Sequence, residues 1–212
     1  MDVKEQIKEI KQSFRQMMDG AVAQSMRDKG LNYHLNWGAT LPRLKAKAEE
    51  LTNTYHLSPN TQYDLAIELW KENVRECKIL ATMLMPPEKI LPEVCNIWME
   101  QIPSQEIAEQ AAFNLWQHLP YAPEKAYQWI ASEGEYCQLC GFHVLSRLFM
   151  NGQEPNERGI NEFIDQALSA LQGPYMSVRK AAMQSMLRFA ELGIVYERMA
   201  KSAMKSINLD FF

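Results

Sequence analysis

A carboxylate and an indole lie two residues apart near the middle of the chain, at Glu100 and Trp98. Such a pair could stabilise a cation that develops during a reaction, because a carboxylate attracts positive charge in a water-poor site and an aromatic face attracts a cation. We therefore take Glu100 and Trp98 as candidate catalytic residues. The alternative is a surface glutamate beside a half-buried core tryptophan, since exposed glutamate is the norm. Of the five tryptophans, we expect Trp37, in a loop, to be the most exposed and Trp98 the next.

Other reactive side chains in the sequence indicate little chemistry. Cys137 and Cys140 form a single CxxC within a helical period, and no second pair completes a four-cysteine zinc site. We interpret both as core cysteines. The four histidines are scattered and form no metal-binding spacing, and no GxGxxG, GxxxxGK[ST] or GxSxG motif occurs. The sequence therefore predicts neither a metal nor a cofactor.

Charge is unevenly distributed along the chain. The net charge is −4, yet residues 176–205 carry six basic residues against two acidic ones, a local charge of +4. A smaller basic cluster comprises Arg43, Lys45 and Lys47. Local basic faces on an acidic protein can bind phosphate, although an ordinary solvated helix face has the same sequence pattern.

Four stretches of the chain share a local pattern that organises these residues. Each has a polar residue followed two positions later by a small residue, and in the last three stretches by a second small residue at the third position. All lie inside an apolar helical period: 74–84, 107–119, 136–149 and 178–190. The leading polar residues, Arg75, Glu109, Gln138 and Arg179, are 34, 29 and 41 positions apart. Small residues at a fixed point let another helix approach closely, and this recurrence is typical of stacked helix pairs.

Helix boundary signals extend this interpretation to the whole chain. Ser58 followed by Pro59 predicts a helix start, Asn73 and Ser104 predict two more, and Pro86-Pro87 and Pro120 predict helix ends. Segments of alternating polarity are absent, so we expect ten or eleven helices, no strands and one all-helical domain over residues 1–212. No apolar run is long enough to span a membrane. Without an N-terminal apolar signal region, we expect a cytoplasmic protein with reduced thiols.

Three segments carry a resemblance to a known family. They are residues 68–81 (ELWKENVRECKILA), 95–102 (CNIWMEQI) and 113–119 (FNLWQHL). This pattern of helices resembles the DNA alkylation repair family, the alkylpurine DNA glycosylases built from HEAT-like repeats. The resemblance implies an all-α fold of HEAT-like helical repeats stacked into a curved superhelix. It also implies that a concave groove binds duplex DNA and that purines alkylated at ring nitrogens are excised.

Family residues transfer to this sequence only in part. Trp98 matches a groove tryptophan of the family, but the aspartate expected four residues later is Ile102 here. Leu139 and Cys140 occupy the region of the family's groove arginine. The residues that we expect to contact DNA phosphates are Arg75, Lys78, Arg147, Arg179, Lys180 and Arg188.

Two functions are consistent with the sequence. The first is a DNA alkylation repair protein that binds duplex DNA and excises N-alkylated purines as a DNA glycosylase, a hydrolase. The second is a non-enzymatic HEAT-repeat scaffold that binds DNA or a protein partner, which the missing aspartate and arginine favour.

Overall fold

The computed structural model describes residues 3–54 and 56–209. Within these ranges the regular structure is helical, apart from one isolated bridge between Leu35 and Val74. The prediction of an all-α chain is therefore confirmed. Among the described residues, no helix is both long and apolar enough to cross a membrane.

The chain divides into two compact units, Met1–Leu115 and Trp116–Phe212, which we call the N-terminal and C-terminal units. The single domain over 1–212 stays a prediction. The helices of the N-terminal unit are α1 (Val3–Gln16), α2 (Gly20–Asp28), α3 (Leu41–Glu49), α4 (Pro59–Lys71), α5 (Arg75–Leu84), α6 (Pro92–Glu100) and α7 (Gln105–Asn114). A π-helical turn over Glu50–Thr54 follows α3.

The C-terminal unit begins with a 3₁₀ turn over Trp116–His118. Its helices are α8 (Ala122–Ile130), α9 (Glu135–Met150), α10 (Glu157–Gln172), α11 (Met176–Ala190) and α12 (Ile194–Ser206). Helix α9 packs against both α8 and α11, and α11 also packs against α10 and α12. Helices α9 and α11 therefore form the centre of this unit.

Helix boundaries follow the capping signals of the sequence. The hydroxyl of Ser58 accepts a hydrogen bond from the amide of Thr61, and the hydroxyl of Ser104 accepts one from Ile107. Both contacts satisfy amides that have no partner within the first turn of a helix. Helix α5 ends at Leu84, just before the two prolines, as predicted.

Two predicted boundaries are wrong. Helix α5 begins at Arg75 rather than near Asn73, because Val74 is extended and forms the bridge to Leu35. The helix predicted over residues 107–119 ends at Asn114. The chain then turns so that Trp116 becomes fully buried, with its ring 5.6 Å from that of Trp129.

The small residues of the repeated pattern lie in helix contacts, as expected. Those of α5, α7, α9 and α11 are all buried: Cys77, Ala111, Ala112, Cys140, Ala181 and Ala182. At Gly141 a Cβ atom would lie 2.7 Å from the Cγ2 of Ile130 and 2.8 Å from the carbonyl oxygen of Ala126. Only glycine allows α8 and α9 to approach this closely, because real Cβ atoms do not tolerate such distances.

Candidate functional site

Trp98 lies in the core of the N-terminal unit. Its ring stacks on that of Trp70, with centroids 4.3 Å apart and planes 5° from parallel. Both side chains are buried, and Trp70 donates from Nε1 to Oε1 of Gln101 over 2.9 Å. The stack joins the end of α4 to α6, so Trp98 has a packing role in this structure.

The predicted exposure of Trp37 and Trp98 is wrong, since their exposed fractions are 6% and 2%. Trp37 is covered because its loop folds back on α1. The carbonyl of Trp37 accepts a hydrogen bond from the amide of Asp19, and its ring lies 6.0 Å from that of Phe14. A loop position does not imply exposure when an aromatic side chain anchors the loop.

The structure does not bring Glu100 and Trp98 together. Glu100 is the last residue of α6 and is exposed, whereas Trp98 points into the core. Residues two apart on a helix project from different faces. Ile102, where the family resemblance led us to expect an aspartate, is 7% exposed and packs as a core residue.

Arg75 holds the N-terminal unit together. Its guanidinium donates from Nε to Oε2 of Glu106 over 2.8 Å and from Nη2 to Oε1 of the same carboxylate over 2.6 Å. Nη1 donates to the carbonyl of Ala39 over 2.8 Å. With 1% of its side chain exposed, Arg75 ties α5 to α7 and is not presented to a phosphate, contrary to our expectation.

The carboxylate of Glu106 is the centre of this network. It also accepts a hydrogen bond from the hydroxyl of Tyr33, which lies 2.9 Å from the hydroxyl of Ser104. Burial alone would raise the pKa of Glu106, but the hydrogen bonds and charge of Arg75 outweigh burial and hold it below its ordinary value. Burial, and then the hydrogen bond to Glu106, raise the pKa of Tyr33. Sequence reasoning missed Glu106 and Tyr33 because their partners lie far away along the chain.

Lys78 is likewise directed inward and is only 9% exposed. Its Nζ donates to the carbonyl of Trp70 over 2.7 Å and lies 4.5 Å from the centroid of that ring. Burial lowers the pKa of this ammonium group. A cation at the C-terminal end of α4 stabilises the helix through its unpaired carbonyls, so Lys78, like Arg75, is not available to contact a phosphate.

The basic residues of the C-terminal unit that we expect to contact DNA phosphates fall into two groups. Arg179 and Lys180 are exposed near the start of α11, whereas Arg147 and Arg188 are half-buried in the last turns of α9 and α11. Arg188 pairs with Glu191 at 2.6 Å. Nine residues of helix separate Arg179 from Arg188, which is about 13 Å along the axis.

A contact between helix starts fixes the direction of α9 and α11. The hydroxyl of Ser177 donates to Oε1 of Glu135 over 2.6 Å, linking the first turn of each helix. The two helices therefore begin at the same side of the unit. Arg179 and Lys180 lie at that side, and the other two predicted arginines lie at the opposite one.

A cavity of about 700 Å³ in the C-terminal unit does not suit a phosphate. It is bounded by α8, α9 and the start of α10, and three carboxylates line it with one arginine: Glu124, Glu154, Glu162 and Arg158. This negative lining would repel a nucleic-acid backbone. No group of three or more His, Cys, Asp or Glu side chains within residues 3–54 and 56–209 could hold a metal ion.

Comparison with known proteins identifies the family of the chain. The family model described as DNA alkylation repair enzyme matches residues 10–189. The chain belongs to this family. No curated protein matches the sequence.

A solved structure supports the fold of this DNA alkylation repair family member. It is described as a new family of proteins related to the HEAT-like repeat DNA glycosylases with affinity for branched DNA structures. The similarity has a TM-score of 0.80 at 15% identity and covers 99% of this chain and 85% of the other. At this identity the likeness shows the fold, so the prediction of HEAT-like helical repeats is confirmed.

Proposed function

We propose that this member of the DNA alkylation repair family binds duplex DNA through the start of α11. The observation that carries the proposal is the exposure of Arg179 and Lys180, two adjacent cations in a segment of local charge +4. Because cations of this kind displace counterions from phosphates, they supply affinity without reading sequence. Arg147 and Arg188 are the second group that would hold the backbone, farther along the same two helices.

Affinity and its salt dependence test this binding. We would titrate labelled duplex DNA, and in parallel a four-way junction, with wild type and Arg179→Gln/Lys180→Gln across a range of salt concentrations. The double variant should bind more weakly, and the slope of log affinity against log salt should fall by about 2, since each phosphate contact contributes about 0.9. The matched control is Lys29→Gln/Lys89→Gln, which removes the same charge. Lys29 is exposed just after α2, and Lys89 contacts Asn60.

Three outcomes of these titrations would change the proposed DNA-binding function. If wild type does not bind DNA at low salt, the DNA-binding function is overturned and a scaffold for a protein partner remains. If both double variants lose affinity equally, net charge rather than the start of α11 accounts for binding. A preference for the junction over the duplex would overturn duplex DNA as the main ligand.

Excision of N-alkylated purines is the second proposed function, and the exposure of Glu100 favours it. Its carboxylate lies at the end of α6, where a bound nucleotide could reach it. A carboxylate can stabilise the sugar cation that forms as the glycosidic bond breaks, or can position the attacking water. Trp98 cannot contribute an exposed ring, so in this mechanism Glu100 acts without it.

Release of free base from DNA methylated on purine nitrogens tests excision. We would measure it under single-turnover conditions for wild type, Glu100→Gln and Glu93→Gln, an exposed glutamate in the first turn of the same helix. Excision by wild type and Glu93→Gln but not by Glu100→Gln would support the assignment. Absence of release from wild type at high enzyme concentration would exclude this activity and leave DNA binding unaffected.

A further inference from the structure

Helix α1 has three distinct faces. Ile7, Ile10 and Phe14 are buried against the unit, whereas Glu5 and Glu9 are exposed on another face. Between these two faces lie four cations at spacings of four, three and four residues: Lys4, Lys8, Lys11 and Arg15. At about 100° per residue, these four side chains fall within an arc of about 60°. They therefore form a continuous basic stripe, which we call the α1 stripe.

The α1 stripe lines a groove between α1 and α4 with a volume of about 640 Å³. Glu68 and Glu72 of α4 form the opposite wall. Both are already paired, Glu72 with Lys11 at 2.8 Å and Glu68 with Lys71. The acidic wall is thus largely neutralised by these contacts.

The remaining cations of the stripe are available to a ligand. Lys4, Lys8 and Arg15 are exposed, and within the described part of the chain none of them forms an ion pair. Arg15 lies 6.0 Å from the ring centroid of Trp37, which limits the directions that its guanidinium can take. The groove therefore carries an excess of positive charge along α1.

Another cation extends the stripe beyond the end of α1. Arg43 of α3 is exposed, and its Nη1 donates to the carbonyl of Met17 over 3.0 Å. This contact holds the guanidinium at the C-terminal end of α1. A second helix thus adds a positive charge at that end.

We propose that the α1 stripe and Arg43 form a second DNA-contacting surface that holds the phosphates of one strand. The inference rests on the proposed DNA-binding function and adds a surface that is independent of α11. From Lys4 to Arg15 the helix rises about 16 Å, which is the axial length of about five phosphates of one strand. Regular spacing of exposed cations over this length suits the regularly repeated charges of a phosphate backbone.

Substitution of the two unpaired lysines tests the surface. Lys4→Gln/Lys8→Gln should weaken binding of duplex DNA about threefold to tenfold near 0.1 M salt and should lower the salt slope by about 2. The loss should be the same for duplexes of different sequence, because phosphate contacts carry no sequence information. Lys29→Gln/Lys89→Gln, which removes the same charge from lysines that do not line this groove, is the control for charge. Circular dichroism should show unchanged helix content in both variants.

Parallel measurement of Arg179→Gln/Lys180→Gln separates the two proposals. If that variant loses affinity while Lys4→Gln/Lys8→Gln keeps both wild-type affinity and salt slope, the α1 surface is overturned and the proposed function stands. If only Lys4→Gln/Lys8→Gln loses affinity, the α1 surface is supported and the α11 interface is not. Binding of labelled polyglutamate to wild type that is lost in Lys4→Gln/Lys8→Gln and undiminished by excess duplex DNA would assign the groove to an acidic peptide and overturn the inference.

Discussion

The indole of Trp98 lies parallel to that of Trp70, with 4.3 Å between ring centroids. Two buried, stacked indoles at the junction of α4 and α6 contribute a large apolar area and a favourable ring geometry. The side chain that sequence reasoning assigned to a DNA groove therefore stabilises the interior of the N-terminal unit. Its removal should affect folding first.

Trp98→Ala should lower the free energy of unfolding by about 3–5 kcal/mol, because it removes a buried aromatic side chain and leaves a cavity. Trp98→Phe should cost less, since a ring still covers Trp70. Urea denaturation of the purified variants measures both changes. The control is Leu91→Ala, which truncates an exposed side chain at the start of α6 and should have little effect. A stable Trp98→Ala protein that bound DNA weakly would contradict the packing role.

Arg75→Met should destabilise the protein by about 3–5 kcal/mol, because it leaves the carboxylate of Glu106 without its ionic partner. Arg75→Met/Glu106→Gln should recover only part of that loss, since the buried carboxylate of Glu76, which pairs with Arg75 at 3.3 Å, still lacks its ionic partner. Equilibrium denaturation of the single and double variants at pH 7 gives the coupling between the two residues. Equal stability of wild type and Arg75→Met would contradict the tie between α5 and α7.

The ion pair between Arg75 and Glu106 also predicts how the stability of the protein changes in acid. The pKa of Glu106 is lower in the folded protein than its unfolded value of about 4.3. Its stabilising contribution is therefore complete above pH 4.3 and is lost as pH falls through the lower folded value. The free energy of unfolding should decline more steeply below pH 4.3 in wild type than in Glu106→Gln. Parallel acid profiles for the two proteins would exclude this contribution.

His143 predicts a separate decline at milder pH. Burial, and then the charge of Arg147, lower the pKa of this imidazole to about 4, against about 6.5 in an unfolded chain. Because the unfolded state binds the proton more tightly, stability should fall as pH drops from 6.5 towards 4. His143→Gln should reduce this pH-dependent loss in the free energy of unfolding by on the order of 1–3 kcal/mol. The exposed His118, changed to Gln, should leave the profile unchanged.

Gly141→Ala should destabilise the contact between α8 and α9 by about 1–3 kcal/mol, because the added methyl group overlaps Ile130 and the carbonyl of Ala126. Gly20→Ala is the matched control, since nothing lies within 4 Å of a Cβ atom at that position. That control should be neutral or slightly stabilising. Thermal unfolding of both variants compares them, and equal melting temperatures would refute the close helix approach.

Local features of the fold could be predicted from the sequence because their causes are local. Ser58 and Ser104 begin helices through their own hydroxyls, and the small residues at Cys77 and Gly141 mark helix contacts by their size alone. The start of α5 could not be placed in this way. Its position depends on the bridge between Val74 and Leu35, a partner distant along the chain.

The candidate site was harder to predict because exposure is a tertiary property. Nothing near Arg75 in sequence indicates that Glu106, 31 residues later, will pair with it. The α1 stripe, in contrast, was accessible to sequence reasoning. The net charge of α1 hides the stripe, because Glu5 and Glu9 offset two of its four cations. A helical projection shows it, because the acidic and basic side chains then fall on different faces.

All five tryptophans are buried, with exposed fractions of 6% or less. Their intrinsic fluorescence should accordingly have a blue-shifted emission maximum and resist quenching by iodide. Nucleobases have no indole on the surface to stack against, so DNA added to the native protein should leave the emission spectrum almost unchanged. Fluorescence thus reports unfolding with little interference from the ligand, and a large quench on adding DNA would reveal that the interior opens during binding.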